Sequence, residues 1–249
     1  MAAFNDKILE VRATNFRTRY GIGSDAPIDF KKLLPVLEVL TVFKPLSDAF
    51  SGMALKTQSG LFIMVNTNNQ IGRQRFTIGH ELYHLFVQED FSFKLCKTGK
   101  FNKKDKEEYN ADVFSSLLLM PETGILKLIP EIELSWGKSI SLATIIKLEQ
   151  HFGVSRRALL IRLERLGLIK FSDYERHLEG VIKSAREYGY STELYNKPKE
   201  KFYVLGNYGI KVKELFDSGL ISETHYHSLM HDINVNVDAK PGDDEQEPW

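Results

Sequence analysis

The sequence predicts an α+β fold: a small antiparallel sheet packed with helices that carry histidines and acids, followed by a helix-turn-helix-like segment and a C-terminal module. Three observations lead there. Between residues 40 and 66 the short runs "LTVFKPL", "SGMALKT" and "GLFIMVN" are rich in β-favouring residues and separated by turn formers such as Ser47, Asp48, Ser59 and Gly60. Just beyond them, Phe76, His80, Tyr83, His84 and Val87 recur at the spacing of one helix face. Farther on, "SLATIIKLEQHF" and "RRALLIRLERLGLI" flank a "GVS" turn, as two helices at a tight junction do.

In chain order, residues 4 to 19 place Phe4, Ile8, Leu9, Val11 and Phe16 at helical spacing before the "GIGSDAP" break, and "IDFKKLLPVLEVL" reads as a second helix interrupted by Pro35. The three strands follow. The Asn-rich "NTNNQ" at 66 to 70 can cap the next helix. A lysine-rich loop, "KTGKFNKKDK", leads to the helix "EEYNADVFSSLLLM", stopped by Pro121. Beyond about residue 172 the texture becomes aromatic and polar, with "PKEKFYVL" the best strand candidate, and the tail "DAKPGDDEQEPW" is acidic with little to bury. The expected division is 1–130, 131–172 (the helix-turn-helix-like extension), 173–238 (the C-terminal module) and a disordered tail at 239–249.

A chain of 249 residues can bury a core without disulfide staples, and its one cysteine, Cys96, has no internal partner. Basic and acidic residues balance at 33 each, so no global field favours nucleic acid or a membrane surface. The first residues lack an apolar leader, and no apolar run approaches the roughly 20 residues needed to span a bilayer. A cytoplasmic protein without a membrane segment is expected.

The chemistry concentrates in "RFTIGHELYHLFV", residues 75 to 87. Residues four apart on a helix stack on one face, so His80 and His84 can present ring nitrogens to one ion, and Glu81 stands where a general base would be needed. A solvated polar face is the plain alternative. It fits poorly between "FTI" and "LFV", where two buried histidines without partners would be costly. A third ligand can come from "EEYNAD", in which Glu108 and Asp112 lie at i and i+4. Asp112 could then accept the spare ring N–H of a ligand histidine. Glu107, about 100° away around the helix, competes with Glu108.

Other signals are weaker. Arg156, Arg157, Arg162 and Arg165 could meet phosphates from the two-helix segment, but a helical hairpin completing the fold explains them as well. His225, His227 and His231 are read as a solvated helix face rather than a second metal site, because no acid stands at matching spacing. Cys96 has no partner that would make it a nucleophile.

"RQRFTIGHELYHLFV", "EEYNADVFSSLLLMP" and "GVSRRALLIRLERLGLI", in this order, resemble the ImmA/IrrE family of zinc metallopeptidases over about residues 35 to 170. The resemblance implies His80, His84 and Glu108 as ligands of zinc, with manganese the alternative, and Glu81 as general base. It also implies a zinc metallopeptidase domain at 1–130. Asp112 stands where the family usually has Asn, Gly79 where it has alanine, and Tyr83 where it has glycine. The implied activity is endopeptidase cleavage of a helix-turn-helix repressor or antitoxin-like protein, derepressing stress, phage-defence or mobile-element genes. The substrate would lie as an added strand, with "GLFIMVN" as its partner. The alternative is a non-proteolytic metal-binding regulator acting on DNA through the helix-turn-helix-like segment. The oxyanion donor is not identified by the sequence, Tyr83 being one candidate.

Overall fold

The first helix, α1 (Ala2–Arg19), ends in Arg17 and Arg19, cations at the negative end of its dipole. The next, α2 (Phe30–Val36), opens on Asp29, whose carboxylate accepts from the Lys31 and Lys32 amides, and it stops one residue past Pro35. Glu38, at φ 53°, then swings the chain into strand β1 (Val39–Lys44), so the helix expected through "EVL" gives way early. Strands β2 (Gly52–Lys56) and β3 (Leu61–Asn66), helix α3 (Ile71–Phe86), strand β4 (Phe93–Cys96) and helix α4 (Lys106–Leu119) follow. The short helices α5 (Glu122–Leu128) and α6 (Glu131–Leu134) lead to the pair α7 (Leu142–Phe152) and α8 (Arg156–Arg165). The remainder is α9 (Phe171–Tyr174), α10 (Val181–Glu187), β5 (Tyr203–Leu205), α11 (Tyr208–Asp217) and α12 (Glu223–His231). This computed structural model describes residues 2–91, 93–96, 105–135, 139–233 and 235; most of the lysine-rich loop, the Cys96 side chain and the acidic tail at 239–249 lie outside the described residues.

The fold is α+β, as expected, but the sheet is mixed. Its order is β4-β2-β3-β1-β5, with β1 parallel to β3 and the other three pairings antiparallel. The parallel pair arises because the chain leaving β1 passes beyond the β3 position before forming the β2–β3 hairpin, and the returning strand drops in beside β1. Asn66 fixes that crossing. Its side chain is fully buried and donates to the carbonyls of Ser47 (3.0 Å) and Phe50 (3.1 Å) while accepting from the amides of Leu46 and Asn68 (2.9 Å each). Those four bonds use the whole donor and acceptor capacity of an amide. Asn66 therefore organises a loop, and the N-cap of α3 falls on Gln70, the last residue of the "NTNNQ" stretch, without a side-chain bond. With neighbours on both sides, β3 has no edge left for strand addition.

The core lies on both sides of α3, which packs against β2 and β3 and against α4. Every residue from Phe76 to Leu85 is buried, so the helix is enclosed all round rather than lying on a surface. The contact with α4 is close: a Cβ on Gly79 would stand 2.6 Å from Ser115 Oγ, and that hydroxyl donates to the Phe76 carbonyl at 2.7 Å. A glycine here, where the family resemblance leads one to expect alanine, matches the approach of the two helices. On the other face of α4, α1 packs with Phe16 against Phe114, edge to face at 6.1 Å.

The helix-turn-helix-like pair forms as expected, with Gly153 in the left-handed conformation at the C-terminus of α7 and Ser155 capping α8. Leu159, Leu160 and Leu163 are fully buried. The arginines, however, are not a phosphate-facing set. Arg156 is buried and spans Glu149 with two bonds (3.0 and 2.6 Å), and Arg162 is buried with its Nε on the Met120 carbonyl. Arg157 and Arg165 are exposed, lying over the rings of Phe171 and Tyr109.

Residues beyond 172 are stitched to those before them. Tyr195 donates to Glu149 at 2.6 Å, the Asn196 carbonyl accepts the first amide of α3 at 2.9 Å, and the Lys201 carbonyl accepts from Thr67. The strand expected in "PKEKFYVL" forms as β5, but it joins the main sheet beside β1, where Tyr203 stacks on Phe43 at 4.1 Å.

Candidate metal centre

Two helices build the site. From α3, His80 and His84 project toward α4, both rings fully buried and their Nε2 atoms 3.1 Å apart. From α4, Glu108 brings its carboxylate oxygens to 3.5 Å from His80 Nε2 and 3.3 Å from His84 Nε2. The register between the helices follows from the Gly79–Ser115 approach, and α4 begins where Asp105 accepts the Glu108 amide. Glu108 stands in the first turn, where a carboxylate suits the helix dipole.

Both imidazoles are held by their other nitrogens. His80 Nδ1 donates to Asp112 Oδ1 at 2.9 Å, and His84 Nδ1 donates to Gln88 Oε1 at 2.5 Å. Phe91 stacks on the His84 ring at 5.1 Å. Once Nδ1 is the donor, Nε2 carries the lone pair, so two lone pairs and a carboxylate face one small volume. Such a set is stable only around a positive charge. Burial disfavours a charged His80, yet its bonds to Asp112 and Glu108 and the field of Glu81 outweigh burial and raise its pKa to about 10. The two histidines likewise hold Glu108 far below the ordinary carboxylate range, against the opposing effect of burial.

Two imidazole nitrogens and one carboxylate oxygen within 4.8 Å of one another fit the donor preferences of zinc, and three protein ligands are one short of its usual four. Among the described residues this is the one group of three such side chains gathered for an ion. His225, His227 and His231 lie along α12, with His225 and His231 exposed, and do not gather with an acid.

Glu107, the competing ligand, turns elsewhere. Its Oε2 accepts from the Tyr83 hydroxyl at 2.7 Å, and Asn110 donates to the same hydroxyl at 3.3 Å. Burial, reinforced by the charge of Glu107, pushes the Tyr83 phenol up. The ring rests against Phe114 and His84, so the bulk that replaces the family's usual glycine finds its space on α4. Glu81 is fully buried beside the start of β2, where a Cβ on Gly52 would be 3.3 Å from its Oε1. Glu108 retains 16% side-chain exposure while both histidines have none, so the cluster opens to its surroundings on the Glu108 side.

The model of the family Peptidase_M78, described as the IrrE N-terminal-like domain, matches residues 36–164. The chain belongs to this family. The match begins just before β1 and ends within α8, so the IrrE N-terminal-like domain takes in the sheet's first four strands, both helices of the site and most of the helical pair. It is a metallopeptidase-type domain, and a protein substrate follows from that class. No curated protein matches the chain. Among the described residues no helix is long and apolar enough to cross a membrane.

Proposed function

We propose that the chain is a zinc-dependent endopeptidase in which His80, His84 and Glu108 hold the metal and Glu81 is the general base. The convergence of both Nε2 atoms and one carboxylate, each imidazole locked by a partner on Nδ1, carries this reading. A divalent cation bound there supplies polarisation of the scissile carbonyl and acidification of water. Asp112 and Gln88 keep both rings in the tautomer that offers Nε2 outward. Glu81, next in sequence to His80 and shielded from bulk solvent, takes a proton from the attacking water on its carboxylate and delivers it to the leaving amine.

Strand addition remains part of the reading with its partner changed. The terminal strand on the site's side is β4, which pairs through Cys96 with Gly52, beside Glu81. An extended peptide hydrogen-bonded along β4 would pass close to the base. The substrate we infer is a helix-turn-helix repressor or antitoxin-like protein, cut to derepress stress, phage-defence or mobile-element genes. The rival reading, a DNA-binding regulator, loses two of its four candidate phosphate contacts to the burial of Arg156 and Arg162.

Glu81→Gln tests the reading. The variant is expected to keep the fold and one equivalent of zinc by elemental analysis, while cleavage of helix-turn-helix proteins encoded beside it falls by at least a factor of about 100. Cleavage that survives the substitution would show the base to be another group.

A further inference from the structure

Apart from the metal cluster, a cavity of about 860 Å³ opens where the start of α3, the start of α8 and helix α10 meet. These elements are joined closely. The Asn196 carbonyl caps the first amide of α3, and a Cβ on Gly72 would lie 3.0 Å from the Ser155 amide. The volume is in the range of small-molecule sites. Gln70, the N-cap of α3, lines it, roughly 15 Å along that helix from His80 at 1.5 Å per residue.

The wall is cationic on one side. Arg157, Lys183 and Arg186 line it against a single acid, Glu187, which stands 3.8 Å from Lys183. Arg156 also borders the cavity, but its guanidinium is committed to Glu149, the His177 carbonyl and Ser184. Among the described residues neither Arg157 nor Arg186 is ion-paired with a carboxylate. Arg157 is steadied over the Phe171 ring at 5.7 Å, and α8, ten residues long, begins here with the positive end of its dipole. The lining also has an apolar part, Leu178, Val181 and Ile182, the last 38% exposed although it is a large aliphatic side chain.

We propose that this cavity binds a small organic anion, with an apolar or planar body against Val181 and Ile182 and its phosphate or carboxylate between Arg157 and Arg186. Two guanidinium forks without acids and an uncovered aliphatic wall are the complement of such a molecule. A plain solvated basic patch would have no use for aliphatic side chains left uncovered beside it. The inference does not depend on the metal or on peptidase activity.

Calorimetric titration of the full chain with adenosine monophosphate, phenyl phosphate and phenylacetate tests it. At least one probe is expected to bind saturably with one molecule per chain. Arg157→Ala and Arg186→Ala should each weaken that binding by about tenfold or more, and Glu187→Gln should strengthen it roughly threefold. All three side chains are exposed, so unchanged circular dichroism is expected to accompany those losses. Saturation by the two phosphates alone identifies a phosphate ligand, saturation by phenylacetate alone a carboxylate, and saturation by all three a site for either anion. Absence of saturable binding by every probe, or equal affinity in the Arg157→Ala/Arg186→Ala double variant, overturns the proposal.

Discussion

Gln88 is the residue at the site with the least obvious part. His80 rests on a carboxylate and His84 on an amide, so the two imidazoles differ in how strongly their outer partners enhance the basicity of Nε2. Removing the amide leaves the His84 tautomer unselected and its ring restrained by the Phe91 stack. On the metal-centre reading, Gln88→Ala is expected to lower zinc affinity by about 10- to 100-fold, and Gln88→Glu to raise it, both measured by chelator competition. Equal affinities in all three proteins would show that the amide does not orient His84. The pairing could have been found from sequence, since Gln88 follows His84 by four residues, the same spacing that singled out the histidines. The choice between Glu107 and Glu108 could not. It depends on how α4 is rotated against α3, and the Tyr83 hydroxyl that draws Glu107 away lies 24 residues earlier in the chain.

At the scale of elements, strands and helices were readable because each rests on local periodicity, whereas the pairing of β1 with β3 rests on a loop. Reading hairpins between neighbours predicts a wholly antiparallel sheet; the crossing at residues 45–51 needs a device that short-range pattern does not reveal. Asn66 is that device, and "NTNNQ" looks like a cap because asparagine serves both ends. If its four bonds hold the crossing, Asn66→Ala strands two carbonyls and two amides in a partly buried loop. The expected cost is roughly 3 kcal/mol in urea unfolding, more than the loss of a single neutral hydrogen bond. Asn66→Asp retains both acceptor contacts but loses both donors, and is expected to fall between the wild type and alanine. A cost under about 0.5 kcal/mol for alanine would mean that water replaces the side chain and the crossing is held by other contacts. The same locality explains why "PKEKFYVL" was recognisable as a strand while its place beside β1, about 160 residues earlier, was not.

Across the whole molecule, the buried Arg156–Glu149 pair joins three stretches of chain. Glu149 lies in α7 and Arg156 in α8, while the His177 carbonyl, Ser184 and Tyr195 reach them from beyond residue 172. Burial pushes the Glu149 carboxyl up, and the bonds from Arg156 and Tyr195 work against that push. A sequence balanced at 33 charges of each sign gives no hint that one arginine of a basic-looking helix is interior. Breaking such a pair from one side leaves an uncompensated buried charge, which costs about 3–5 kcal/mol, whereas replacing both members by apolar residues is often close to neutral. Arg156→Ala is therefore expected to lower the midpoint of thermal unfolding by about 10 °C, at about 2–4 °C per kcal/mol for a chain of this size. Because the pair links the helical extension to the segment after it, the calorimetric transition should stay single as it shifts. The double variant Glu149→Leu/Arg156→Leu should recover much of the loss, though the carbonyl of His177 would lose its bond from Arg156, while Ser184 keeps the Val181 carbonyl and Tyr195 keeps Gln150. Two separate transitions in the Arg156→Ala protein would instead mean that the segment beyond 172 unfolds by itself, and that its bonds to α3 and α7 hold position without sharing stability.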